Sequence, residues 1–459
     1  MVRRKGNMKF DEAKRLLAKQ GQEHLLGHWA KLTAAERKAL LSQIEGMDFK
    51  AVARCAAVLR AQRDGAAPAA KTGVPTAPKV AQLKGAARAR AVAAGEKELR
   101  AGHVGVLLVA GGQGSRLGYD GPKGAYSIGP VTGASLFFFH ARKIVALARR
   151  YGARIPFYVM TSAVNHEATV AHFREQGFFG LNPDDVFFFR QGVWPGMTDD
   201  GKIILDAPGH VFMSPDGHGG LITALKVNGC FADMRRRGVR TLFFFQVDNP
   251  LVEVADPAFI GLHTLQKAEY SLKLCAKRDP YEGLGMVVKR NGRYGMVEYT
   301  EMTEEMNTRR TKTGDLYFKF GSPAIHIFDR AFLEREAAKD MPLHLAHKKI
   351  PTVNAAGKTV KPSEPNGWKF EKFIFDALPD ANRVVCLAFD RADEFSPVKN
   401  AEGKDSPATC RADLQAKWRR QLAAAGIRVL ETLPVEIDPA YALDAAGLAA
   451  AGLLLRAAD

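Results

Sequence analysis

From residue 104 onward, short apolar runs alternate with helical patterns, and this alternation restricts the chain to one broad architecture. The runs VGVLLVA (104–110), IPFYVMT (155–161), VFFFRQ (186–191), TLFFFQV (241–247) and YSLKLCA (270–276) are short and almost wholly apolar. A strand with one wet face would alternate; these read as strands covered on both faces. Between them, SLFFFHARKIVALARRYG, NHEATVAHFREQG and GLITALKVNGCFADMRRRG place apolar residues at three- and four-residue steps. The pattern predicts an α/β fold with a mainly parallel sheet packed between helices. MVVKRNGRYGMVEYTEM (286–302) differs, because two alternating segments flank Asn291-Gly292, which predicts a hairpin. SPAIHIF (322–328) predicts a further strand.

The flanks have another character. Residues 7–62 carry helical periodicity, with Thr33 and Glu36 in a capping-box pattern, and GAAPAAKTGVPTAPKV (65–80) predicts a surface connector. AARARAVAAGEKELRAG returns to helix and stops at Gly102. Beyond about residue 410 the chain is Ala/Leu-rich and helical, with IRVLETL as a short strand candidate. The expected division is a helical N-terminal region with its linker (1–100), a central α/β region (101–410) and a small C-terminal part (411–459).

At 459 residues and 46% apolar content the chain is long enough for two or three domains with a substantial core. No apolar window reaches membrane-span length, and MVRRKGNMKFDEAKRL has no apolar stretch behind its basic residues, so a soluble, unexported, cytoplasmic protein is expected. The five cysteines are scattered, odd in number and without metal-ligand spacing, which predicts reduced thiols. The net charge of +17 raises nucleic acid as a partner. However, residues 1–100 hold 21 Lys and Arg against 9 Asp and Glu, with only Phe10, Trp29 and Phe49 as aromatics. Cations without stacking rings predict a solvated helical face, and neither nucleic acid nor membrane is expected as a partner.

The stretch LLVAGGQGSRLGYDGPKG (107–124) carries the chemistry. An apolar strand runs into glycines and then into Arg116 and Lys123. Successive bare N–H groups at the carboxyl edge of a parallel sheet, next to two cations, suit phosphate. The stretch is not a Walker A loop, since no Gly-Lys pair is followed by Ser or Thr in that frame. Nor is GGQGSRLG a dinucleotide fingerprint: Leu117 stands where the third glycine belongs. A triphosphate that must be held and neutralised while one bond breaks fits best. TLFFFQVDNP supplies a carboxylate, Asp248, at the end of a buried strand, where a divalent metal is expected.

These residues resemble the UDP-N-acetylglucosamine pyrophosphorylases and their UDP-sugar relatives. The resemblance spans about residues 100 to 415 and runs through LVAGGQGSRLGYDGPKG, MTSAVNHEAT, FFGLNPDDVFFFRQG, DGKIIL, SPDGHGGLITAL, QVDNPLVEVADPAFIG, YGMVEYTEM, PNGWKFEKFIFD and DEFSPVKNAEGKDSP, in order. It implies a Rossmann-like nucleotidyltransferase fold and a Mg2+-assisted reaction of UTP with a sugar 1-phosphate, giving UDP-sugar and pyrophosphate. It further implies that Ala110, Gly111 and Gly112 approach the nucleotide, that Arg116 and Lys123 hold the triphosphate, and that Gln191 reads the uracil. A side-chain amide offers the donor and acceptor that a uracil imide requires. By the same resemblance Gly217 and His218 lie against the nucleoside, Glu298 and Tyr299 contact the sugar, Asp248 holds the metal, and Lys369 and Lys399 bind phosphate groups.

The chain departs from this pattern at two places. His218 stands where the N-acetylglucosamine enzymes carry Asn, and Ser322-Pro323 replaces the family's Asn at the sugar. N-acetylglucosamine 1-phosphate is the expected substrate, and glucose 1-phosphate or a broad sugar range is the alternative. Glu167, His218 and His326 are not expected to be catalytic, since a histidine between apolar residues, as in AIHIF, reads as core. The rival from another class is a non-catalytic nucleotide-binding protein with a nucleic-acid-binding N-terminus; Arg116, Lys123, Asp248, Lys369 and Lys399, all present, speak against it.

Overall fold

A computed structural model describes residues 8–65 and 73–451. By internal contacts the chain forms two compact units, each assembled from separate stretches: Met1–Thr72, Gly192–Leu221 and Met341–Asp376 in the first, and Gly73–Gln191, Ile222–Asp340 and Ala377–Asp459 in the second. Of the connector expected at 65–80, residues 66–72 lie outside the described residues, as do the two ends of the chain.

In the first unit the helices Phe10–Gln20, Ala34–Gly46 and Phe49–Arg63 share a core with strand and loop residues. Leu17, Leu40, Ile44 and Leu59 pack with Met197, Ile203, Val211 and Phe370. The capping box forms as its spacing requires: Glu36 N donates to Thr33 Oγ1 (3.3 Å) and Thr33 N to Glu36 Oε2 (2.8 Å). An antiparallel pair, His344–Lys348 with Gly367–Glu371, completes this unit.

The second unit is built on a nine-stranded mixed sheet. Its strands, in chain order, are β1 (Val104–Val109), β2 (Phe157–Thr161), β3 (Val186–Arg190), β4 (Thr241–Gln246), β5 (Tyr270–Ala276), β6 (Gly285–Arg290), β7 (Arg293–Val297), β8 (Phe320–Asp329) and β9 (Val384–Ala388). They are ordered β7-β6-β8-β4-β1-β2-β3, with β5 pairing β8 and β9 pairing β5. The half β3-β2-β1-β4 is parallel throughout, as its unbroken apolar runs demand, while β6 and β7 form the hairpin at Asn291-Gly292. Helices cover the parallel half, and Val106, Leu108, Phe137, Phe243, Phe245 and Phe259 lie in one fully desolvated core. His326, on β8, is buried in a ring cluster with Phe244, Tyr270 and Phe328, so AIHIF is core.

Two local expectations are corrected. GLITALKVNGCFADMRRRG forms two helices, Gly220–Val227 and Cys230–Arg236. The break falls at Asn228-Gly229: Gly229 turns left-handed at φ +75°, and Asn228 Nδ2 donates back to Ala224 O (2.8 Å). IRVLETL is not a strand. Its carbonyls are taken instead by one guanidinium, with Arg419 donating to Leu430 O (3.0 Å), Glu431 O (3.1 Å) and Leu433 O, which leaves them unavailable for a β-ladder.

Two buried histidines make the second unit acid-sensitive. His140 donates from Nε2 to Val247 O (2.9 Å), and burial pushes its pKa down to about 3; His263, beside Ser271 Oγ (2.8 Å), is pushed down to about 4 by burial. Folded, both stay neutral where the unfolded chain takes up protons below about pH 6.5. Stability is therefore expected to fall between pH 6.5 and 4.5 by up to roughly 1.4 kcal/mol per pH unit for each histidine. Denaturant midpoints measured across that window check this, and a His263→Gln variant should show a shallower slope.

Candidate active site

Parallel strands end with their carboxyl edges aligned, so residues far apart in sequence come level there. Val109 pairs with Gln246 on one side and Met160 on the other, and Thr161 pairs with Arg190. Extending each ladder just past its last pairs puts Asp248, Gly111, Ser162 and Gln191 in one row. The chain leaves β1 toward β2 and β3 but places β4 on the opposite side of β1, so the row lies at a topological switch point.

The glycine-rich stretch folds back over this edge. Ala110 N donates to Met160 O (2.8 Å), Lys123 N to Gly112 O (3.0 Å) and Gly114 N to Gly121 O (2.9 Å). Two adjacent glycines are required for different reasons. A Cβ on Gly111 would stand 2.3 Å from Gln191 Oε1, so the amide of Gln191 lies directly on the backbone of the loop. A Cβ on Gly112 would meet no protein atom within 4 Å. Gly112 is solvent-exposed and keeps an open cradle rather than a packing contact. A Gly112→Val variant is therefore expected to hold its stability within about 0.5 kcal/mol while weakening UTP binding about tenfold or more, the reach of steric overpacking. Calorimetric titration with UTP beside a denaturant curve checks both halves.

Sequence reasoning passed over the residue that shapes the cradle. Asn165, fully buried, donates from Nδ2 to Ala110 O (2.8 Å) and Gly112 O (3.1 Å) and accepts at Oδ1 from Ser162 N (2.8 Å) and Ser162 Oγ (3.0 Å). It sits at the N-cap of the helix His166–Glu175, where its side chain makes no cap hydrogen bond. An Asn at a helix start reads as a cap in any sequence. Only the fold shows the amide turned onto the loop instead.

Lys123 Nζ donates to Asp248 Oδ2 at 3.3 Å, joining the loop to the end of β4, with both side chains largely buried. Arg116 is exposed and has no ion pair among the described residues. Lys399, also in the second unit, lies over the Phe395 ring at 5.9 Å. Glu298 and Ser322 flank Gly285 at another part of the same sheet. Gly285 pairs with Ser322, and a Cβ placed on Gly285 would lie 3.8 Å from Glu298 Oε1. Tyr299 is 56% exposed beside them. At Ser322 the strand is irregular: Pro323 offers no N–H, Ala324 has φ +60°, and the register with β5 shifts between Gly321 and Ile325.

Gly217, His218 and Lys369 belong to the first unit. Gly217 has φ +80°, and a Cβ there would strike Lys372 O at 2.5 Å, so no other residue fits without strain. His218 stacks on Phe373 (5.3 Å between ring centres) and meets Phe375 edge-on (4.8 Å). Its Nδ1 accepts from Ile374 N (3.2 Å), which leaves Nε2 as the protonated nitrogen. Loss of solvent pushes its pKa down to about 4, so at neutral pH the ring is an uncharged donor. Lys369, on the strand Gly367–Glu371, lies over Phe212 at 5.2 Å.

An α/β sheet with a glycine cradle at its switch point and a lysine-bound carboxylate beside it is the arrangement of a nucleotidyltransferase. Comparison with known proteins narrows the class. Residues 72–414 match the profile of the family described as UTP–glucose-1-phosphate uridylyltransferase. The chain is 39% identical over 434 residues to the human UDP-N-acetylhexosamine pyrophosphorylase-like protein 1, covering 90% of this chain and 86% of that one. It is 34% identical to the UDP-N-acetylglucosamine pyrophosphorylase of Saccharomyces cerevisiae, covering 93% and 94%. The crystal structure of the Trypanosoma brucei UDP-N-acetylglucosamine pyrophosphorylase superposes with a TM-score of 0.82 at 28% identity, covering 97% of this chain and 95% of that one. The chain belongs to the UTP–glucose-1-phosphate uridylyltransferase family, as the ordered motifs implied.

Proposed function

We propose that this protein is a UTP:sugar-1-phosphate uridylyltransferase acting on an N-acetylhexosamine 1-phosphate, with N-acetylglucosamine 1-phosphate the preferred substrate. The observation that carries the reading is the row Asp248–Gly111–Ser162–Gln191 at the switch point, with the open Gly112 cradle beside it, in a chain with these relatives. Gln191 offers the uracil an amide already held against Gly111, and the loop N–H groups offer donors to the phosphates.

The reaction is an in-line displacement. A phosphate oxygen of the sugar phosphate, anionic at neutral pH, attacks the α-phosphorus of UTP; the bond from that phosphorus to the bridging oxygen breaks, and pyrophosphate leaves with the electron pair. No side chain has to remove a proton. The work left for the protein is to bring two anions together and to offset the charge that builds on the leaving group. Arg116, Lys123 and Lys399, all in the second unit, take that role in this reading. Lys123 takes only Oδ2 of Asp248, and its other oxygen, Oδ1, is the one that would hold Mg2+, an ion that one or two carboxylates and substrate phosphates suffice to bind. When bound, the ion supplies further charge neutralisation at those phosphates. The trio Glu253, Asp256 and Glu394 does not fit a metal, because Lys273 already bridges Asp256 and Glu394.

Among the described residues no helix is long and apolar enough to cross a membrane, and all five cysteines are free and buried, which supports a cytoplasmic place for the enzyme. The decisive experiment measures pyrophosphate release from UTP with the 1-phosphates of N-acetylglucosamine, N-acetylgalactosamine, glucose and galactose. N-acetylglucosamine 1-phosphate is expected to give the highest kcat/KM. A preference for glucose 1-phosphate would favour the reading in which Ser322-Pro323 has reset the sugar site, and no turnover with any of the four would refute the reaction. Full activity in an Asp248→Ala variant would remove Asp248 as the metal anchor.

A further inference from the structure

We infer that Asn249 is a positioning residue that sets Lys399 against Asp248; the inference rests on the roles proposed above for those two residues. Asp-Asn-Pro reads locally as a turn in which the Asn side chain bonds its own backbone. Here the amide reaches a segment 145 residues away. Asn249 is 3% exposed, donates from Nδ2 to Glu394 O (2.7 Å) and accepts at Oδ1 from Ser396 N (3.1 Å). Next to this clasp, Val398 N donates to Asp248 O (2.8 Å). Three hydrogen bonds thus lace Asp248–Asn249 to residues 394–398, and Lys399 is the next residue.

The lacing is stiff for reasons visible in its members. A buried amide with both ends bonded cannot rotate without stranding a donor and an acceptor. Pro397 fixes its own φ and keeps Ser396 extended. Lys273, 1% exposed, bridges Asp256 Oδ2 (2.8 Å) and Glu394 Oε1 (2.5 Å), holding the far ends of the same two segments together. A phosphate-binding ammonium works only if it meets the developing charge, and a misplacement of about 1 Å can cost about 100-fold. Asn249 touches no reacting atom in this reading; its effect passes through Lys399.

A double-mutant cycle on pyrophosphate release tests this. Asn249→Ala is expected to lower kcat about 10- to 100-fold while the UTP dissociation constant, measured by calorimetry, moves less than about threefold. In a Lys399→Ala background the same Asn249→Ala change is expected to cost less than about threefold, because the residue it positions is gone. An equal fold-loss in both backgrounds would show that Asn249 supports the fold only and would overturn the inference. Full turnover in Lys399→Ala alone would instead overturn the assignment of Lys399, which separates the two failures. Should Asn249→Ala not fold, Asn249→Asp runs the same cycle: it keeps the acceptor for Ser396 N and loses the donor to Glu394 O.

Discussion

Exchanging Lys123 for methionine is expected to lower kcat about 100-fold or more, the loss seen when one preorganised charge-stabilising group is removed from a transition state. Lys123 is held on two sides. Its backbone N–H donates to Gly112 O (3.0 Å), and its Nζ lies 3.3 Å from Asp248 Oδ2, with the two side chains 17% and 13% exposed. The ammonium is therefore fixed at the cradle before any phosphate arrives, and that fixing is what makes it effective. Methionine keeps the length and apolar stem while removing the charge; Asp248 loses its ion-pair partner, so the unfolding midpoint is expected to fall as well, and turnover is compared per folded enzyme. Arg116→Met makes a useful comparison, because Arg116 is exposed and has no ion pair among the described residues; its loss should leave the unfolding midpoint unchanged and raise KM for UTP. Steady-state pyrophosphate release over a range of UTP concentrations gives kcat and KM for both variants, and denaturant curves give the midpoints. A Lys123→Met enzyme within about threefold of the parent would remove Lys123 from the reaction.

The largest stability loss is expected at Lys273. Its side chain is 1% exposed, bridges Asp256 and Glu394, and lies over the Phe259 ring at 5.5 Å. Lys273→Met keeps much of the volume but leaves two carboxylates in the interior without their cation, a change that costs about 3–5 kcal/mol. Burial already holds the Glu394 carboxyl above the ordinary carboxylate range with Lys273 in place. A carboxyl raised in the folded state favours folding at low pH and loses that contribution as the pH rises. Without Lys273 the shift grows, so the deficit of the variant should be larger at pH 8 than at pH 5, as denaturant curves at the two values would show. Adding Glu394→Gln should recover part of the loss, because the second buried charge goes with it.

Much of this was readable in advance, and the parts that were share a cause. The apolar runs at 104–110, 155–161, 186–191 and 241–247 became the four parallel strands, because a strand buried on both faces leaves an unbroken hydrophobic run whatever surrounds it. The Thr33–Glu36 box and the Asn291-Gly292 hairpin formed for a similar reason: both are settled within a few residues. IRVLETL misled because an apolar run without a partner strand has no ladder to join, and Arg419 took its carbonyls instead. Asn165 and Asn249 read locally as a helix cap and a turn. Their amides turned elsewhere, since the groups they bond arrive from 55 and 145 residues away.

The amino-acid sequence alone therefore determined the four strands of the parallel half and the bare glycine backbone that carries Arg116 and Lys123 at 111–124. Tertiary structure decided that Gln191 lies on Gly111, that Gly112 faces open space, that Lys123 holds Asp248, and that buried amides set the loops around them. The difference is physical. Hydrophobic periodicity and turn chemistry act over a few neighbouring residues, whereas the direction of a buried hydrogen bond is chosen only when packing brings its distant partner within about 3 Å.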